Sequence, residues 1–288
     1  MYGESWMRRV KEVMEWFGYL EGVGYKDKFL IFVAKLLYLA IRFSLRLILG
    51  KDRRDRYLQQ NKIHYTNFIY SDITVRIDGF IVTTRHHDDD LIFLHTSHEP
   101  AVAKVLTSNL KDDDVLIDIG ANVGRYVLLA SRIIRNGRII AIEAHPKNYE
   151  FLLRNLKQNR VTAECINAAI SDQPGTVNLH ISTAGSGKHS IREGRIMKGA
   201  IQVCSVTLDS IIDEKKIDRI DWILMDVEGA ENSVLKGGTK ALSLARNIIV
   251  EIHYQENRDF VLGFLQQAGF KPVWLDADKI PPHLYAYK

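Results

Sequence analysis

Residues 115–124 read VLIDIGANVG. Five residues of an apolar run are broken only by Asp118 and followed at once by Gly120, Asn122 and Gly124. That order predicts a buried strand, a tight turn and the start of a helix. In an open α/β sheet, ligands bind outside the carboxyl ends of the strands, and small residues there let a ligand approach the backbone. Asn122 stands where a dinucleotide fingerprint would need its second glycine, so close approach of a pyrophosphate is not provided. A turn opening on an acid suits a cationic ligand instead.

The text on either side has the same grammar. RIIAIEA (138–144) is the next strand, Pro146 opens a helix to Asn159, and TAECINAAI (162–170) and VNLHI (177–181) read as strands. IQVCSVT (201–207), DWILMD (221–226) and NIIVEIH (247–253) follow, with helical segments between them. KPVWLD and HLYAY close the chain as an antiparallel pair. Strands alternating with helices predict a mostly parallel sheet covered on both faces. Residues 182–200 are rich in Gly, Ser and basic residues and read as a mobile loop that includes His189.

Acids recur at the predicted ligand edge. Glu143 ends the second strand about twenty residues after the glycine turn, where a carboxylate can accept both hydroxyls of a ribose. Asp172 follows the third strand and could accept from an adenine amino group. The strand 221–226 delivers Asp226, Glu228 and Glu231, with Gly229 allowing a turn. Such carboxylates can orient a hydroxyl, act as base or hold a divalent cation. Glu231 also suits a plain helix N-terminus. His253 ends the strand 247–253, with Glu251 two residues earlier, and is a candidate general base. No metal ligand is assigned: His86 and His87 precede Asp88–Asp90, but consecutive residues rarely reach one ion and zinc spacing is absent.

DIGANVG, EAHP, AISD, SVTLDSI and DVEGAE occur here in order, and together they resemble the FkbM-type S-adenosylmethionine-dependent methyltransferases over about residues 99–288. The resemblance implies a class I methyltransferase fold, a Rossmann-like seven-stranded mostly parallel sheet. It implies S-adenosylmethionine as cofactor and methyl transfer to a hydroxyl of a sugar, glycan, polyketide or other metabolite. It places Asp118, Gly120, Asn122, Gly124, Glu143 and Asp172 at the cofactor, and Asp226 and Glu228 at the transfer centre beside the candidate base His253. Leu224 stands where the family often has a lysine, so any role of that lysine is inapplicable here.

The chain's 288 residues and ordinary composition exclude a disordered chain and a polytopic membrane protein. Two cysteines cannot build a disulfide framework and fit a reducing, cytoplasmic compartment. The net charge of +4 is unevenly placed: residues 1–62 carry 13 basic and 7 acidic side chains, a net +6, leaving −2 for the rest. Residues 1–62 read as a basic helical arm, ahead of a methyltransferase domain at 63–288 that opens with a β-hairpin layer over 63–98. In the arm, Ser5–Leu20 has helical spacing with Trp6 and Trp16 suited to an interface. Residues 29–49, FLIFVAKLLYLAIRFSLRLIL, put Lys28, Lys35, Arg42 and Arg46 on one stripe of an apolar helix. That is the pattern of a helix lying in a membrane interface, holding the protein at the cytoplasmic face. Packing against protein or homo-oligomerisation would use the same apolar surface. The acceptor expected beside a membrane is a hydroxyl-bearing glycan, a lipid-linked sugar or a lipid head group. An RNA methyltransferase would carry its basic face around the pocket, and no nucleic acid partner is expected from a domain of net −2. A non-catalytic scaffold retaining the fold is the other reading, distinguishable by cofactor binding.

Overall fold

A computed structural model of the chain describes residues 21–60, 69, 71–85, 99–182, 189–192, 197–279 and 281–288. The helix expected at Ser5–Leu20, the strand expected at 63–70, the His86–Asp90 run and most of the loop at 182–200 lie outside these residues. The chain forms two compact units, residues 1–95 and 96–288.

The first unit contains β1 (Glu21–Gly22), α1 (Tyr25–Leu49), α2 (Lys51–Gln60), β2 (Ile73–Ile77) and β3 (Phe80–Thr84). The Asp78-Gly79 turn joins β2 to β3 as the sequence predicts, both residues taking positive φ. β1 pairs antiparallel with β2, so the hairpin belongs with the arm, and the units divide at 95/96 rather than at 62/63. α1 begins where the Asp27 carboxylate accepts from the Gly24 N–H at 3.2 Å, and it stops at Gly50, whose φ is 74°. Its inward face carries Ile31, Ala34, Lys35 and Tyr38. This corrects the expected basic stripe. Lys35 is buried, burial holding its pKa down, and Arg42 pairs with Asp55 at 3.4 Å. What points outward is an apolar ridge of Phe29, Phe32, Leu36, Phe43 and Leu47. No helix among the described residues is long and apolar enough to cross a membrane.

The second unit begins with α3 (Pro100–Asn109), then β4 (Val115–Ile119), α4 (Arg125–Ser131), β5 (Arg138–Ile142), α5 (Pro146–Gln158), β6 (Glu164–Ile166), β7 (Ala169–Ile170), β8 (Gly175–Ser182) and β9 (Met197–Val206). It continues through α6 (Leu208–Glu214), β10 (Ile220–Met225), α7 (Glu231–Lys236), α8 (Thr239–Leu244), β11 (Ala245–Glu251), α9 (Gln255–Gln267), β12 (Lys271–Trp274) and β13 (His283–Tyr287). A seven-stranded sheet has the order β12-β13-β11-β10-β4-β5-β6. Every strand in it is parallel to β4 except β13, which runs antiparallel to both of its neighbours. This is the class I methyltransferase arrangement that the sequence predicts.

The central strands are apolar because both faces are covered. Ile117, Ile140, Ile223, Ile248 and Leu284 are fully buried. Trp222 is buried too, stacking on Tyr285 at 6.0 Å between ring centroids and donating its indole N–H to Asp114 at 3.2 Å. The strand expected over 162–170 is split in two. β6 joins the large sheet, whereas β7 joins a second sheet of order β7-β9-β8. The break is at Asn167, whose side-chain amide donates to the Glu143 carbonyl at 2.8 Å. A residue tied down in this way cannot continue a ladder.

From β4 the chain moves through β5 to β6 on one side and later places β10 on the other. The carboxyl ends of β4 and β10 therefore diverge into a cleft, the topological switch point of the sheet.

Candidate active site

The cleft is an open cavity whose empty space, counted out to solvent, is about 580 Å³. Gly120, Asn122, Glu143, Asn148, Asp226 and Glu228 line it, together with the apolar residues that follow β6 and with His189 and Ile191. Most of the predicted site residues are therefore brought to one place from distant stretches of chain.

The β4 turn forms the floor. A methyl group on Gly120 would sit 1.7 Å from the Asp226 carbonyl oxygen, and its φ is +88°. Only glycine fits there, and the close approach seats β4 against the end of β10. Asn122 takes φ 49°, unusual for a residue with a side chain, and its N–H donates to a Glu143 carboxylate oxygen at 2.8 Å. The other oxygen accepts from the His145 N–H at 2.8 Å and from the Asn148 amide at 3.2 Å. Glu143 is thus a buried hub that fixes the glycine turn to the start of α5. Gly124 does not line the cavity. A Cβ there would meet Leu152 at 2.8 Å, so its job is the close packing of α4 on α5.

Two further assignments move. Asp118 lies beneath the lining and is almost fully buried, with one oxygen that has no hydrogen-bond partner. Burial, with the Glu143 charge nearby, pushes its carboxyl up to about 7. Asp172 is exposed, is absent from the cavity lining, and bonds to the neighbouring Ser171 hydroxyl. Ala168, Ala169 and Ile170 occupy the wall expected of it.

The transfer end gathers around His253. Its Nδ1 faces Glu231 at 3.0 Å, and its Nε2 faces Glu228 at 3.3 Å and Asp226 at 3.6 Å. Glu231 is completely buried and also accepts from the Gly229 N–H at 3.1 Å and the Asn257 amide at 2.5 Å. It is therefore an orienting residue rather than a simple helix-start acid. Burial alone would lower the His253 pKa. Its contacts with Glu228 and Glu231 and the charge of Asp226 outweigh that and raise it well above the ordinary value. His253 thus stands among three carboxylates within 3.6 Å, one on Nδ1 and two facing Nε2. Burial likewise pushes the Glu251 carboxyl up to about 8, with His253 opposing.

Beside His189, which the sequence placed on the loop at 182–200, stand residues that the sequence did not single out. Ser190 donates to the Glu228 carbonyl at 2.6 Å, and Arg192 lies 4.0 Å over the Tyr254 ring and pairs with Glu256. His189 packs on His145 at 4.2 Å between ring centroids. No local pattern marks these residues, because each acquires its role only from a partner far away in sequence.

The donor set fits S-adenosylmethionine. Buried oxygens of Asp118, Asn122 and Asp226 lack hydrogen-bond partners around a cleft whose floor excludes even a methyl group. Each such orphan costs about 1–3 kcal/mol unless a ligand relieves it.

The fold and this cleft define a class I methyltransferase domain. Residues 118–272 match the methyltransferase FkbM domain, and the chain belongs to that family. The domain is an S-adenosylmethionine-dependent methyltransferase. The chain is similar to hexuronic acid methyltransferase AglP of Haloferax volcanii, with 28% identity over 156 residues, covering 54% of this chain and 62% of AglP. It is similar to the 2-O-methyltransferase NoeI of Sinorhizobium fredii, with 29% identity over 162 residues, covering 51% of this chain and 66% of NoeI. The chain thus spans less than two thirds of either relative. Among solved structures, precorrin-6y C5,15-methyltransferase of Geobacter metallireducens aligns with a TM-score of 0.43 and 17% identity, over 65% of this chain and 88% of that one.

Proposed function

We propose that the protein transfers a methyl group to a hydroxyl of a glycan or lipid-linked sugar, working at a membrane surface. The observation that carries the chemistry is the placement of Asp226: its side chain is 45% exposed and lines the cavity end, beside the more buried Glu228 and His253. Bound S-adenosylmethionine supplies a methyl group on a sulfonium cation. Glu143 holds the floor on which the nucleoside rests, and the orphan oxygen of Asn122 faces the polar parts of the cofactor, with Asp118 buried beneath it. Asp226, whose carboxyl pKa is raised well above its ordinary value by burial and the Glu251 charge with His253 opposing, accepts the hydroxyl proton as the acceptor oxygen attacks. His253, gripped by Glu231, keeps Asp226 and Glu228 in register. The sugar class is supported by the hexuronic acid methyltransferase activity for which AglP is named and the 2-O-methyltransferase activity for which NoeI is named.

The membrane reading is supported by the exposed ridge of α1, with the exposed cations Lys28 and Arg46 near it.

The test is incubation of membrane and glycan extracts with labelled cofactor, followed by identification of the labelled product. Asp226→Asn should lower turnover about 100-fold while leaving cofactor affinity within about threefold. Label appearing only in RNA would overturn the acceptor class.

A further inference from the structure

Behind the transfer end lies a second group of polar side chains that methyl transfer does not use. His283, on β13, is held by Asp276: its N–H donates to Oδ1 at 2.6 Å, and its Nδ1 faces Oδ2 at 2.8 Å. That fixes the ring and assigns the Nδ1 proton to Asp276. The side chain is 5% exposed, and its Nε2 has no hydrogen-bond partner. Nε2 points instead at two carboxylates, Glu251 Oε2 at 3.8 Å and Glu99 Oε2 at 3.9 Å. A lone pair aimed at two acceptors is repulsive unless a cation lies between them.

We propose that Glu99, Glu251 and His283 bind a divalent transition-metal cation. Ligands about 2.2 Å from one ion in a trigonal arrangement stand about 3.8 Å apart, close to the two distances from His283 Nε2, and all three ligand atoms lie within 4.8 Å of one another. Asp276 supplies the outer carboxylate that metal-binding histidines characteristically carry. One imidazole with two carboxylates suits Mn²⁺ or Zn²⁺ better than the all-oxygen preference of Ca²⁺. The surrounding charge is permissive. Among the described residues, the ion pairs of Glu99, Asp226, Glu228, Glu231, Glu251 and Asp276 include those with Arg125, Lys279 and the two imidazoles, six carboxylates beside few cations. Arg125 Nη1 lies 3.5 Å from Glu99 Oε2, the oxygen that also accepts from the Tyr126 hydroxyl.

Glu251 also links this position to the transfer centre. Its Oε1 lies 3.8 Å from His253 Nε2, and Asp226, Glu251 and His253 form an outer triad that shares it. A cation at the inner position fixes Glu251, and through it the groups that meet the acceptor. It does not depend on the acceptor's identity, so its success or failure is separate from that of the proposed reaction.

The test is Mn²⁺ binding by the full chain, stripped with chelator and followed by the resonance of free Mn²⁺. One ion per chain is expected. His283→Gln and Glu99→Gln should each weaken binding by about tenfold or more, while His253→Gln changes it by less than about threefold. Circular dichroism melts confirm that each variant folds, and the two inner variants stand in for one another if one does not. No saturable binding by the wild type up to about 1 mM overturns the proposal. So does binding undiminished in both inner variants, which would leave a protonated His283 in an ion pair. Loss of binding with His253→Gln alone overturns it as well, moving the ion to the outer triad.

Discussion

Asp118 shows how one residue of the site can be read in two ways. Its place at the end of β4 marks it as a ligand group, yet it is buried under the cavity lining with an oxygen unpaired. Its carboxyl titrates near about 7, against an ordinary 3.8. The native state therefore holds a proton that the unfolded chain has already lost over most of that range. Stability from this group is fully present below the ordinary carboxylate range and is lost as pH rises through about 7. The slope reaches about 1.4 kcal/mol per pH unit where native Asp118 is protonated and its unfolded counterpart is not. The cofactor-free protein should melt at a lower temperature at pH 8 than at pH 5.5. Asp118→Asn should flatten that part of the profile, and an unchanged profile would show that Asp118 ionises freely. Glu143, by contrast, was legible from its spacing after the glycine turn. Its three bonds to Asn122, His145 and Asn148 give that spacing a mechanical reason. Asp172 was misread because its position after a strand suggested a pocket edge, whereas β7 leaves the large sheet and carries Asp172 out to solvent.

Elements were legible where one period dominates. β4, β5, β10 and β11 are short apolar runs that end at acids or turns, and the structure places all four side by side. The second sheet was not legible as a sheet, since its pairing of β7 with β8 across β9 is set by contacts distant in sequence. Nor was the strap at residues 189–192. Its Ser190 anchors to the Glu228 carbonyl, and Arg192 spans Tyr254 and Glu256 at the start of α9. Gly229 lets Tyr254 sit there, since a Cβ would lie 2.2 Å from the ring. A partly exposed guanidinium over an aromatic ring is worth about 0.5–2 kcal/mol, so its loss would loosen the strap without unfolding the domain. Arg192→Ala is expected to weaken cofactor affinity about three- to tenfold by calorimetry with little change in melting temperature. Unchanged affinity would show that the strap does not close on the cofactor.

At the scale of the molecule, the basic excess of residues 1–62 does not follow the boundary between the two units, which falls at 95/96. The seven-stranded sheet, the cavity and every candidate site residue belong to the unit 96–288. That unit has its own extensive core, centred on the residues of β4, β5, β10 and β11. The unit 1–95 contributes α1, with aromatic and aliphatic side chains exposed along one ridge. Such a ridge costs solubility unless something apolar covers it. A chain of residues 96–288 should therefore fold and bind S-adenosylmethionine with an affinity within about threefold of the full chain's, since no cavity residue is removed. It should fail to sediment with vesicles containing anionic lipid, while the full chain sediments. Phe32→Glu with Phe43→Glu in the full chain should reproduce that loss and leave cofactor affinity unchanged, because both side chains lie on the exposed ridge. Equal sedimentation of the full chain and this double variant would show that α1 does not meet the membrane, and the ridge would then be assigned to contact with protein.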